Sequence, residues 1–114
     1  MLANEGELDG IRILKPETIG RATKRTNSPG EIDRFMRVPM AWSLGYMLGT
    51  PEVPLMGKTS TEKMFGHAGA ACTMGWADPE RRLGFAYLTN GNLSWVNSFN
   101  RVGVLADLAL KACL

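Results

Sequence analysis

Apolar residues toward the C-terminus recur every three or four positions. Phe99, Val102, Leu105, Ala106, Ala109, Leu110 and Cys113 fall on one stripe, with Arg101, Asp107 and Lys111 mostly off it. That spacing predicts a helix over residues 98–114, and such a helix needs a sheet to lie on. Upstream the rhythm shortens. Strands are predicted near Cys72–Ala77 and Leu83–Thr89, joined by the polar turn "DPERR" with Pro79 in it. Phe85 and Tyr87, with Ala86 and Leu88 between and after them, make the second strand apolar on both faces. That pattern predicts a central strand covered on both sides. In "MAWSLGYMLG", Trp42, Leu44 and Tyr46 alternate with small or flexible residues and read as another strand.

The N-terminal third is punctuated by turns. "MLANEG" reads as the last turn of a helix closed by Gly6 as a left-handed cap. Asp9-Gly10 between short apolar segments is a hairpin signal. Pro16 and Glu17 open a short helix that Gly20 weakens. "TNSPGEIDRFMRVP" and "TPEVPLMGKTSTEK" carry no sustained period and read as irregular connections. Residues 1–114 thus make one α+β unit: an antiparallel sheet of three or four strands backed by a C-terminal helix, with no internal repeat.

Composition narrows the function classes. Over 114 residues, 45% hydrophobic and 21% charged describe an ordinary globular chain and argue against disorder. A formal net charge of +2 gives no case for nucleic acid or an anionic membrane. Lys24, Arg25, Arg34 and Arg37 are interrupted by Glu31 and Asp33 and read as a solvated face. No apolar run is long enough to span a bilayer, and the first residues do not read as a signal peptide, which favours the cytoplasm. Cys72 and Cys113 lack ligand spacing. Two buried free thiols are expected, with a disulfide between them left open.

The chemistry centres on one residue. His67, the only histidine, lies among Gly66, Ala68, Gly69, Ala70 and Ala71, residues small enough for a backbone or ligand to approach closely. In order along the chain, "FGHAG" and then "GWADPERRLGFAYLTNG" resemble the C-terminal part of the serine β-lactamase and penicillin-binding-protein superfamily. The esterase-like branch (family VIII carboxylesterases and relatives) is the most similar. "LANEGELDGIRILKPETI" and "WSLGYMLG" extend the likeness over nearly the whole chain. In that superfamily a Lys-Thr-Gly triplet, or His-x-Gly in the esterase-like branch, lies on the strand edging the active site. His67-Ala68-Gly69 matches the second form.

The resemblance implies a partial β-lactamase fold, hydrolysis of an ester or amide through an acyl-serine, and no metal or organic cofactor. It makes His67, Ala68 and Gly69 substrate-lining and the Ala70 backbone N–H one oxyanion donor. A mostly neutral histidine in place of lysine tilts the substrate toward neutral esters. The plain alternative for His67 is a solvated strand-end side chain.

The family's nucleophile is a serine in S-x-x-K, assisted by Y-x-N or S-x-N. "STEK" (Ser60–Lys63) and "SFN" (Ser98–Asn100) fit by letter. Both fail by position: in the family these motifs precede the triplet by a large part of the domain, whereas Ser60 lies seven residues before His67 in a loop and Ser98 comes after the final strand. The chain is therefore expected to lack a nucleophile and to be silent alone. Asp78 and Glu80 read as solvated turn charges, Asn92-Leu93-Ser94 as a glycosylation-type triplet without support, and Trp42, Trp76 and Trp95 as core or cleft-wall aromatics. Trp76 is the one expected on the helix-covered side. An exposed sheet edge would favour self-association.

Two rivals stand beside the enzyme reading. One is a non-catalytic binding or scaffold module that keeps the sheet. The other is an unrelated α+β domain, in which the C-terminal helix would not cover the strands around the triplet.

Overall fold

The computed structural model describes residues 1–70, 73–91 and 94–113, with only the backbone of Trp95. Cys72, Asn92 and the side chain of Trp95 lie outside what is described, and with them the readings made of those groups.

The chain opens with a 3-10 turn, Leu2–Asn4, closed by Glu5 and Gly6 at positive φ. Strands β1 (Glu7–Leu8) and β2 (Ile11–Arg12) pair antiparallel around Asp9-Gly10, both at positive φ, as the dipeptide requires. Helix α1 (Pro16–Ala22) begins on its proline and buries Ile19. It ends where the Thr23 N–H and hydroxyl both donate to the Ile19 carbonyl.

The main sheet contains β3 (Met47–Leu48), β4 (Phe65–Gly69), β5 (Thr73–Asp78) and β6 (Leu83–Tyr87), antiparallel throughout and in that order. The amphipathic helix α2 runs Trp95–Ala112, starting three residues before the predicted start at 98. Alternation along the strands sorts the core into two layers. Met47, Met74 and Trp76 share one cluster with Val102, Ala106 and Leu110, spaced four apart on α2. Leu48, Phe65 and Ala77 point the other way, toward Ile19 and Ala41. Trp76 therefore sits on the helix-covered side, stacked on Phe85 at 4.9 Å between ring centroids. The helix lies on the strands around the triplet, contrary to the unrelated-domain rival.

Five readings need correction. Residues 41–50 are not one strand: a tight turn with Gly45 at positive φ folds Trp42 back to bridge Met47, leaving only β3 as strand. Strand β6 is not central. It is the last strand of the sheet, with Leu83, Phe85 and Tyr87 half-buried and Gly84 and Ala86 exposed. Arg25 is not a solvated charge, because it pairs with Glu62 and donates to the carbonyls of Asn27 and Ser28, knitting two loops. Asp78 is fully buried rather than solvated. Cys113 is a free but exposed thiol at the end of α2.

Gly66 sets how closely β4 and β5 approach. A β-carbon there would lie 2.1 Å from the Gly75 carbonyl oxygen and 2.6 Å from Trp76 Cα, both backbone atoms that cannot swing aside.

Candidate active site

Strand β3 is only two residues long, and this brevity creates the site. It pairs with Phe65 and Gly66 and then stops, so beyond them β4 has, among the described residues, a partner on the β5 side alone. The Gly49 N–H donates to the Met64 carbonyl. Backbone groups alternate along a strand, so those of Gly66 and Ala68 turn to that same edge. His67 to Gly69 thus present a bare strand edge among the described residues. At Gly69 a β-carbon would stand 2.1 Å from Thr73 Oγ1 across the ladder, a contact that rotation of the threonine side chain relieves.

His67 is exposed, and its Nδ1 lies 2.7 Å from the Ala68 carbonyl oxygen. A carbonyl can only accept, so Nδ1 carries a proton, and Nε2 is the nitrogen left facing outward. Among the described residues Nε2 has no hydrogen-bond partner. The Trp42 ring leans against the imidazole, 5.9 Å between centroids and 41° between planes.

Trp42 is itself held. Its Nε1–H donates to Asp33 Oδ2 at 2.9 Å, while Asp33 Oδ1 accepts the N–H groups of Phe35 (2.9 Å) and Met36 (2.7 Å). These bonds hold the Asp33 carboxyl below its ordinary range. The Met36 N–H contributes most and the Trp42 and Phe35 donors add to it, against the opposing effect of burial. Asn27 splints the same wall, accepting the Trp42 N–H on Oδ1 and donating Nδ2 to the Met40 carbonyl, each at 2.8 Å. The sequence reading passed over Asp33 and Asn27 as loop residues. The available signal was their type, since short polar side chains in turns habitually bond nearby backbone.

Two concavities meet at His67. The larger, about 730 Å³, spreads over the small-residue floor of Gly75, Ala77, Gly84 and Ala86 toward Tyr46 and the N-terminal turn. The smaller, about 450 Å³, lies on the Trp42 side and also touches Ala68 and Ala70. Three of the four expected site residues therefore line one cavity. Gly69 lies between Ala68 and Ala70 but is not part of its wall.

Neither letter match offers a nucleophile. The buried Ser60 donates its hydroxyl to the Thr50 carbonyl at 3.2 Å. Lys63 extends instead to Glu80, 2.7 Å away, and that partner raises its pKa. The Ser98 hydroxyl donates to the Ser94 carbonyl inside α2's first turn. Among the described residues no three His, Cys, Asp or Glu side chains gather to hold a metal. No helix among them is long and apolar enough to cross a membrane.

An antiparallel sheet backed by a C-terminal helix is the α+β layering of a β-lactamase-type fold. The chain belongs to the β-lactamase family, whose model matches residues 1–107. It is 38% identical over 93 residues to the esterase/beta-lactamase LipL of Mycobacterium tuberculosis, covering 82% of this chain and 20% of that protein. A penicillin-binding-protein homolog from Caulobacter crescentus superposes with a TM-score of 0.74 at 28% identity, over 99% of this chain and 29% of its own. A family VIII carboxylesterase does so at 0.69 and 28% identity, over 92% of this chain and 28% of its own. The chain thus spans about a fifth of the curated relative it matches.

Proposed function

We propose that this chain supplies the substrate-lining strand of a serine hydrolase acting on esters or amides. The observation that carries the reading is the bare β4 edge at His67–Gly69, bordered by a cavity that His67, Ala68 and Ala70 share. The substrate's acyl group would lie along that edge. A serine hydroxyl from outside this chain adds to the substrate carbonyl carbon, giving its proton to a base also outside it. The carbonyl oxygen then takes up the negative charge and accepts the Ala70 N–H. Collapse expels the alcohol or amine, which regains a proton, and water releases the acid by the same steps. One such donor is worth on the order of 3 kcal/mol of transition-state stabilisation. The His67 Nε2 lone pair would accept from a substrate N–H or O–H, or donate when the ring is protonated.

A chimera tests this. Residues 1–107 replace the matching segment of the family VIII carboxylesterase, and p-nitrophenyl butyrate hydrolysis is followed. Turnover is expected that depends on the acceptor's serine and drops about tenfold in His67→Ala, the order expected for the loss of one hydrogen bond to the substrate. A chimera that unfolds as cooperatively as the parent esterase but hydrolyses nothing would favour the non-catalytic module.

The chain's own partner is read from β6. Its outer edge has no strand neighbour among the described residues, and Leu88 just beyond is 81% exposed. A second copy is expected to pair there. The sedimentation coefficient should rise with concentration and cease to do so in Ala86→Lys. A single monomeric species at every concentration would refute the pairing.

A further inference from the structure

We propose that Asp33 is a positioning residue for His67 and acts through Trp42: the carboxylate fixes the indole, and the indole fixes the imidazole at the β4 edge. Its effect on a reaction there rests on the hydrolase reading; the placement of the ring does not.

The imidazole needs such support. His67 is exposed, and among the described residues its side-chain hydrogen bond runs to the adjoining Ala68 carbonyl. A bond so local leaves the ring free to turn out into water, where either nitrogen can carry the proton. A second hold comes from the Trp42 indole, 5.9 Å between centroids, inside the favourable range of about 4.5–7 Å for aromatic pairs.

The indole supplies that hold only if its own tilt is set. The Trp42 main chain is tied without Asp33. Its N–H donates to Asn27 Oδ1 at 2.8 Å, and its carbonyl accepts the Thr26 N–H at 2.8 Å and the Thr26 hydroxyl at 3.1 Å. Packing against the core cluster that contains Met47 supports the ring from below. The Asp33 bond meets Nε1–H at the far end of the side chain, so it acts on the tilt of the ring rather than the course of the backbone.

Asp33 is itself held. Besides the Phe35 and Met36 N–H groups on Oδ1, its own N–H donates to the Val38 carbonyl at 3.0 Å, and its carbonyl accepts the Arg37 N–H at 2.8 Å. A loop closed on itself thus passes its rigidity through one carboxylate and one indole to the side chain at the edge. Such support governs how often a functional side chain occupies its working rotamer.

Two substitutions break the link at different points. Asp33→Asn keeps an oxygen for the Phe35 and Met36 N–H groups but turns its NH2 toward the indole N–H, donor against donor. Trp42→Phe keeps an aromatic ring and the Asp33 charge but removes the N–H. The first readout is the tautomer ratio of His67 in the 114-residue chain, taken from its ring 15N shifts by NMR at a pH where the ring is neutral. The wild type should hold the proton on Nδ1. Both variants should move the ratio toward Nε2 by about threefold, the share of a weak aromatic pair. The second readout is kcat/KM of the carboxylesterase chimera with p-nitrophenyl butyrate. Asp33→Asn should lower it about threefold where His67 is present and cause no further loss in a His67→Ala background, as coupled residues do.

Unchanged tautomers in both variants would overturn the proposal. So would a shift in only one of them: in Asp33→Asn alone it would mean that the charge acts through space, in Trp42→Phe alone that the indole needs no anchor. An equal loss of kcat/KM with and without His67 would overturn it too, by making Asp33 a support of the fold. A silent chimera removes the hydrolase reading instead, and the ring nitrogens alone then decide the positioning.

Discussion

We expect the 114-residue chain alone to hydrolyse p-nitrophenyl butyrate no faster than buffer, and Ser60→Ala to leave that rate unchanged. The expectation rests on where the candidate groups point. An acyl-forming serine needs a hydroxyl free to approach a carbonyl and a base beside it. Ser60 is buried and its hydrogen is given to the Thr50 carbonyl. Lys63, which would have to be that base, is paired with Glu80 at the far end of its side chain. The Glu80 carboxylate raises the Lys63 pKa, the wrong direction for a lysine that must accept a proton near neutrality. Ser98 is bonded within α2. Loss of a serine nucleophile costs on the order of a million-fold in kcat in a serine hydrolase, so an oxyanion donor and a lined edge would not lift the rate measurably. Saturable turnover abolished by Ser60→Ala would place the nucleophile in "STEK" and overturn the assignment of the edge as one half of a site.

The legible parts of this fold were those whose cause is local. Asp9-Gly10 makes its hairpin because both residues tolerate positive φ, and Pro16 starts α1 because its missing N–H is not needed there. The α2 stripe was readable because four-residue spacing on a helix is itself the packing surface. Errors came where sequence neighbours and spatial neighbours differ. Trp42 and Tyr46 alternate as in a strand, yet Gly45 reverses the chain between them. Ala86 and Leu88 carry the pattern of a covered face, but in this chain α2 covers only one side of the sheet. Whether a second copy pairs with the outer edge of β6 is what the sedimentation experiment addresses.

The site divides the same way. His67 stood out through its small neighbours and the order of motifs around it. The bare edge did not, because it depends on β3 ending after two residues. The Asp33–Trp42 anchor was equally hidden, since it joins residues nine apart through a side-chain bond that no period announces.

Asp78 was misread for a related reason, and its replacement is the second large effect expected. A carboxylate in "DPERR" reads as solvated, yet here it is fully buried and organises the turn between β5 and β6. Its Oδ1 accepts the N–H of Glu80 at 3.0 Å and of Arg81 at 3.3 Å, and Oδ2 accepts Arg81 Nη1 at 2.6 Å. Asp78→Ala removes all three bonds, leaving a guanidinium and two amides to water. Removing one partner of a buried pair costs about 3–5 kcal/mol. The Arg81 side chain is 28% exposed, so water recovers part of the loss and about 3 kcal/mol is expected.

Asp78→Asn keeps the Oδ1 bonds and loses the ion pair, so about half that cost should follow. Urea unfolding at low protein concentration, where β6 edges are unpaired, measures both variants, with equal slopes showing that stability alone has changed. An Asp78→Ala midpoint within about 0.5 kcal/mol of wild type would show that the carboxylate's burial contributes nothing net. The consequence reaches the site because the turn fixes the β5–β6 register, while Gly75 of β5 lies opposite His67. Loosening the turn should therefore blur the Trp42 indole signal before the chain unfolds, whereas a purely local effect would leave that signal unchanged.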